Sequence, residues 1–225
     1  MNKEVDLPYR AHFWVSSYPF FETTLILIPP VQSSSPQCSA TLTAYDSDGA
    51  TINTVQMSFP ANETQLVEVE PLMGSCKLEC GVKHGHIVVE LPYGGGAACR
   101  IHTRESATMV SEPRIITPSA ASFVPLTLGA GRMNFLLCVN RSQKECIVKA
   151  RLFFGKRSPE TSWTLPPFGT RIVLVESEFA PYLGLEKSDQ IQAYIRMSTK
   201  SGEIGVQTLE RTEGAKDEAY FSSMS

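Results

Sequence analysis

Long apolar runs, catalytic signatures and charge of either sign are all scarce in this chain of 225 residues. The longest unbroken aliphatic run is Leu25-Ile26-Leu27-Ile28, closed by Pro29-Pro30. A membrane-spanning helix needs about 20 such residues, so no membrane insertion is expected. The opening stretch, M-N-K-E-V-D-L-P-Y-R, carries no apolar segment of the secretory kind, and a cytoplasmic location is the expectation. Charged residues make up 19% and the formal net charge is −3, which offers no basic field to nucleic acid. There is no G-x-S-x-G, no H-E-x-x-H and no paired-carboxylate strand. Aspartates are few: Asp6, Asp46, Asp48, Asp189 and Asp217. A non-enzymatic protein without a cofactor is therefore expected. The six cysteines form no framework common to both halves, and Cys38, Cys99 and Cys138 sit in or beside apolar strands. Free thiols are expected rather than disulfides.

What the chain does have is a repeat. Ser58–Val69 reads S-F-P-A-N-E-T-Q-L-V-E-V and recurs as Thr164–Val175, T-L-P-P-F-G-T-R-I-V-L-V. Pro60, Thr64 and Val67 match Pro166, Thr170 and Val173 at a constant spacing of 106. The match extends from Ala40, Leu42 and Ala44 to Ala150, Leu152 and Phe154, and from Ala97–Arg104 to Ile204–Arg211. Phe13-Trp14-Val15 lies opposite Phe123-Val124-Pro125. A period of this size fits duplication of a domain, since one β-sandwich takes roughly 100 residues.

Each copy alternates apolar and polar residues in short runs separated by turn residues, as in C-S-A-T-L-T-A-Y over Cys38–Tyr45. That period marks half-buried strands. The fold class expected is all-β, with two tandem antiparallel β-sandwich domains related by internal duplication. The divisions are 1–112 for the first unit, 113–122 for a linker, 123–212 for the second unit and 213–225 for a polar tail. Within that tail, A-K-D-E-A-Y-F suits one or two helical turns. Asp46-Ser47-Asp48-Gly49 reads as a hairpin turn. Hairpins are also expected over Tyr93-Gly94-Gly95-Gly96 and over Lys200-Ser201-Gly202. A strand follows the glycine run, where a phosphate loop would need a helix.

Two constellations carry chemistry. Arg100, His102 and Arg104 alternate along one strand face and could hold a carboxylate or phosphate, against a plain solvated face. The second copy offers Gln207 and Arg211 there, and Trp14 is a stacking candidate beside Tyr18–Phe21, against core or interface packing. Cys76, Cys80, His84 and His86 have the donors of a zinc site. Their spacing is unconventional and the second copy lacks them, so a loop with incidental cysteines and histidines is the competing reading.

Trp14, Glu22-Thr23 before Leu25–Ile28, Pro60-Ala61-x-x-Thr64 and Ile101-His102-Thr103-Arg104 together resemble the sensory rhodopsin transducer superfamily. The resemblance implies an antiparallel β-sandwich acting as a small-molecule-binding or signal-relay module, with a sugar-like ligand and oligomeric assembly. Two fused copies would then make in one chain the pseudo-symmetric pair that single-domain relatives form by dimerising. The expected partner is a small polar ligand or a protein, with a homo-oligomer allowed. The alternative is an assembly protein whose sandwich faces are protein–protein interfaces.

Overall fold

The computed structural model describes residues 8–17, 22–31, 35–74, 76, 78–79, 82–102, 107–110, 112–129, 131–184, 190–212 and 222–224. Tyr18–Phe21, Cys80, Arg104 and the A-K-D-E-A-Y-F segment lie outside them. The first unit contains β1 (Tyr9–Ser17), β2 (Glu22–Ile28), β3 (Gln37–Tyr45), β4 (Thr51–Pro60) and β5 (Gln65–Glu68). A single helical turn, α1 (Glu70–Met73), leads to β6 (Leu78–Glu79), β7 (Val82–Leu91), β8 (Gly96–His102) and β9 (Ala107–Val110). The second unit repeats the series: β10 (Arg114–Ile116), β11 (Ser122–Gly129), β12 (Arg132–Asn140), β13 (Cys146–Phe153), β14 (Glu160–Leu165) and β15 (Thr170–Leu174). Then come α2 (Val175–Glu178), α3 (Ala180–Leu183), β16 (Gln190–Thr199), β17 (Ile204–Thr212) and β18 (Ser222–Met224).

The strands build four antiparallel sheets, two in each unit. The front sheet runs β1-β7-β3-β4 in the first unit and β11-β16-β13-β14 in the second. The back sheet runs β5-β2-β8-β9 in the first and β15-β12-β17-β10 in the second. Seven of the eight positions hold corresponding strands of the two copies; at the eighth, β9 follows β8 in the chain whereas β10 precedes β11, so the chain is an all-β pair of tandem sandwiches with an apparent duplication. The segment between the units takes part in both back sheets. β9 pairs with β8, and β10 pairs with β17 with Ile116 fully buried. Residues 113–122, read as a linker, thus carry a strand of the second unit.

Two local readings need correction. β7 and β8 do not form a hairpin over the glycines, because β7 belongs to the front sheet and β8 to the back sheet. The turn at Lys200-Ser201-Gly202 likewise carries the chain from the front sheet to the back one. Both turns are short and glycine-bearing, as hairpins would be, so turn chemistry alone did not separate the cases. The hairpin at Asp46–Gly49 does form. Asp46 Oδ1 accepts from Ala50 N at 2.8 Å, and Gly49 takes φ 82°.

Register also refines the alignment of the repeats. Leu25 pairs with Val67 and Leu136 with Val173, which makes Leu25 and Leu136 equivalent. Carried across to β8 and β17, this places Leu209 opposite Arg100, and Arg211 opposite His102. The sequence alignment had set Arg104 against Arg211, two residues out of step.

Alternation holds where one face is wet. Over β13, Cys146, Val148, Ala150 and Leu152 are buried while Ile147 and Arg151 are exposed. It fails in β1, β7 and β12, which are buried on both faces along most of their length. In β12, Leu136 and Cys138 enter the second unit's own core. Phe135, Leu137 and Val139, with Ile172 and Leu209, join the core cluster of the first unit instead. Burying these five side chains contributes on the order of 10 kcal/mol as an upper bound. The back sheet of the second unit is therefore covered by the front sheet of the first. Different surfaces meet, so the two units are stacked front to back and do not form the two-fold pair expected from fusion of a dimer.

Candidate functional site

The seam between the units holds three of the protein's four histidines. β1 pairs with β7 so that Ser16 lies opposite His84, Trp14 opposite His86 and His12 opposite Val88. β3 brings Tyr45 opposite His86. Opposite residues of an antiparallel pair share a face, so His12, Trp14, Ser16, Tyr45, His84 and His86 all project from the front sheet toward the second unit. The loop 166–170 of the second unit meets them. Tyr45 stacks on Phe168 with ring centroids 4.8 Å apart, and on His86 at 5.4 Å. Trp14 stacks on His84 at 5.7 Å.

The hydrogen bonds fix two tautomers. His86 Nδ1 lies 3.0 Å from the carbonyl oxygen of Phe168, which can only accept, so Nδ1 donates. The Nε2 of neutral His86 is then an acceptor, and His12 Nδ1, 2.9 Å away, donates to it. His84 Nδ1 shares a 3.0 Å hydrogen bond with Thr170 Oγ1. Burial pushes the His86 imidazole down from 6.5 to about 4, and cationic Arg141 and Arg10 press in the same direction. His12 is driven down to about 2, first by burial, then by His86, Arg141 and Arg10. At the rim, Arg141 Nη2 pairs with Glu112 at 2.9 Å, and His12 N donates to the same carboxylate oxygen at 3.3 Å. The seam is a stacked, hydrogen-bonded contact in which burial keeps His12 and His86 neutral.

The residues singled out in the sequence scatter around this frame. Trp14 is in the seam, 1% exposed, and its indole N–H has no acceptor among the described residues. His84 and His86 are extended on β7 and share one face, each with Nδ1 engaged across the seam. Cys76 is buried and its thiol donates to Met73 O at 3.0 Å. Among the described residues no group of three or more His, Cys, Asp or Glu gathers as metal ligands would. Arg100 and His102 project from the outer face of the first back sheet. There His102 Nε2 lies 3.3 Å from Thr24 Oγ1, which in turn donates to Glu68 at 3.3 Å. Gln207 and Arg211 occupy the corresponding face of the second unit, with Gln207 buried. The two sets thus lie on separate sheets, one open and one covered. Tyr45, Phe168, Thr170 and Arg141 were not picked out from the sequence. The available signal is the P-P-F-G-T loop of 166–170, which also carries the repeat.

A groove of about 650 Å³ opens beside the first back sheet, lined by Ile28, Pro29, Pro30, Val31, Asn62 and Glu63 among others. Its loop, 60–64, is the counterpart of loop 166–170 at the spacing of 106.

No family model matches the chain, and no curated protein matches it. Among solved structures it is similar to an anti-sigma factor domain-containing protein, at 10% identity over 95% of this chain and 82% of that one, with a TM-score of 0.23. It is also similar to infectious bursal virus derived T=1 particles, at 8% identity over 87% of this chain and 55% of that one, with a TM-score of 0.17. Likenesses this slight carry no argument about fold or function.

Proposed function

We propose that this chain is a non-enzymatic, cytoplasmic interaction module of a signal relay, and that its sheet faces are its contact surfaces with other proteins. The observation that carries the reading is where large apolar side chains are exposed. Ile28 at 44%, Leu66 at 59% and Met109 at 54% share the outer face of the first back sheet. Phe123 at 52%, Ile147 at 43% and Tyr194 at 44% share the outer face of the second front sheet. Contiguous exposed apolar surface marks interaction sites in soluble proteins. The resemblance to the sensory rhodopsin transducer superfamily supports the relay role. A small polar ligand is the second reading, favoured by the groove at loop 60–64 and by Arg100 and His102 on the open face.

In-cell photo-crosslinking tests the first reading. A photoreactive amino acid at Leu66 or Tyr194 is expected to give discrete protein adducts. The same group at Tyr182, in α3, which belongs to neither sheet, should give none. No adduct at either face, together with a sugar or organic anion that raises the melting temperature unless Arg100→Ala is present, would overturn it in favour of a ligand module.

A further inference from the structure

The two open faces are the counterparts of the two faces buried at the seam. Internally, the front sheet of the first unit covers the back sheet of the second. Among the described residues, what remains uncovered is the back sheet of the first unit and the front sheet of the second. Register makes the correspondence residue by residue. Cys38 pairs with Phe59 and Cys146 with Leu165, so β3 and β13 align with Tyr45 on Phe153. Tyr45 faces His86 and Phe153 faces Tyr194, so His86 aligns with Tyr194, and its neighbour Trp14 with Pro125. The aromatic stack is itself repeated. Tyr45 and His86 lie 5.4 Å apart in the seam, and Phe153 and Tyr194 lie 4.7 Å apart on the open front sheet. In the seam Phe168 caps that stack. The counterpart of Phe168 is Asn62, in the exposed loop beside the groove.

The back faces correspond in the same way. Phe135, Leu137 and Val139 fill the seam, and Thr24, Ile26 and Ile28 take their places on the first unit. Leu66 corresponds to Ile172, and Arg100 to Leu209. Charge is complementary in balance: on the open front face Lys149 and Arg151 pair with Glu160 and leave an excess of positive charge with Arg196, while on the open back face Glu22 and Glu68 outnumber Arg100.

We propose that a second copy of this chain seats the front sheet of its second unit on the back sheet of the first unit, repeating the internal seam head to tail. The inference deepens the interaction reading and rests on it, with this chain as its own partner. A heterologous contact of this kind does not close on itself in a dimer. It propagates into a ring if the rotation closes and into a filament if it does not.

Sedimentation velocity of the full chain tests this from about 1 to about 100 μM, a range that captures weak interfaces. The wild type is expected to grow beyond dimer with concentration. Tyr194→Asp blocks the front end and Leu66→Asp blocks the back end, and each should weaken self-association at least tenfold. Mixed one to one, the two variants should form a dimer and stop, because one intact front meets one intact back. Phe123→Asp and Met109→Asp serve the same ends should either first variant fail to fold by circular dichroism. A wild type that stays monomeric throughout overturns the proposal. So does a mixture that remains monomeric, or an association that front-blocking leaves unchanged. Crosslinks to other proteins in cells alongside a monomeric purified chain would overturn this assembly and leave the interaction reading standing.

Discussion

Acidification should open the seam before it unfolds either sandwich core. His86 and His12 are neutral in the folded protein, with imidazoles pushed from 6.5 down to about 4 and about 2. Their folded values lie below their unfolded ones. The unfolded chain therefore takes up protons first as pH falls, and stability is lost below about pH 6.5. Above that pH the two histidines add no pH dependence. At pH 5 both folded values are still lower, so the loss depends almost entirely on the unfolded value. Each histidine then costs about 2 kcal/mol, and the pair about 4 kcal/mol, relative to pH 7.5. The geometry gives the same sign. A proton on His86 Nε2 would point at the N–H of His12, turning a 2.9 Å hydrogen bond into a donor facing a donor. Buried Glu176 works in the opposite direction. Burial raises its carboxyl, so it is protonated in the folded state first and acid stabilises it. Comparison of the wild type with His86→Gln removes that contribution. Urea unfolding followed by Trp14 fluorescence, with Trp163 changed to Phe, is the assay at pH 7.5 and 5.0. His86→Gln should lose about 2 kcal/mol less than the wild type. A difference below about 1 kcal/mol between the losses of the two proteins would refute the neutral seam.

Three further outcomes follow from close packing and burial. Gly49→Ala should cost at least about 2 kcal/mol in urea unfolding, because φ is 82° and the new methyl would run into the Pro167 carbonyl across the seam. Asn140→Ala should cost about 3 kcal/mol. Its buried amide reaches Lys144 O at 2.8 Å and Pro166 O at 2.8 Å, and its oxygen accepts from Ser142 N at 2.9 Å. In a Cys80→Ser background, a thiol reagent should label well under one cysteine per native chain and all the remaining ones after unfolding. Cys38, Cys76, Cys99, Cys138 and Cys146 are all buried, and burial pushes the Cys99 thiol up to about 12.

The sandwich was legible wherever a strand has one wet face. C-S-A-T-L-T-A-Y and C-I-V-K-A-R-L-F alternate in sequence, and they alternate in burial. The repeat was legible because Pro60 and Pro166 punctuate the same chain crossing in both units. The pairing of strands across turns was not. A glycine-bearing turn joins two strands of one sheet at Asp46–Gly49 and strands of two sheets at Tyr93–Gly96, and only the partners of the flanking strands distinguish them. The apparent ligand set failed to assemble for a related reason. His102 and Arg211 occupy equivalent positions on two copies of one sheet, and duplication carries equivalent positions apart.

The seam had a sequence signal of its own, one that alternation obscures. N-F-L-L-C-V-N over Asn134–Asn140 is apolar at every step between its ends, as a strand covered on both faces must be. The matching stretch of the first unit, T-L-I-L-I over Thr24–Ile28, is nearly as apolar, yet its outer face is open, with Ile28 at 44% and Ile26 half-buried. Two copies of one strand with nearly the same apolar content thus have different cover. A front sheet lies on β12, and among the described residues none lies on β2. The same asymmetry recurs at the front sheets. There the first unit carries His84 and His86, whose Nδ1 atoms bond across the seam, while the second carries Phe123, Phe153 and Tyr194 facing outward. An open β2 face and an open Tyr194 face are the two halves of one contact that a single chain cannot close by itself.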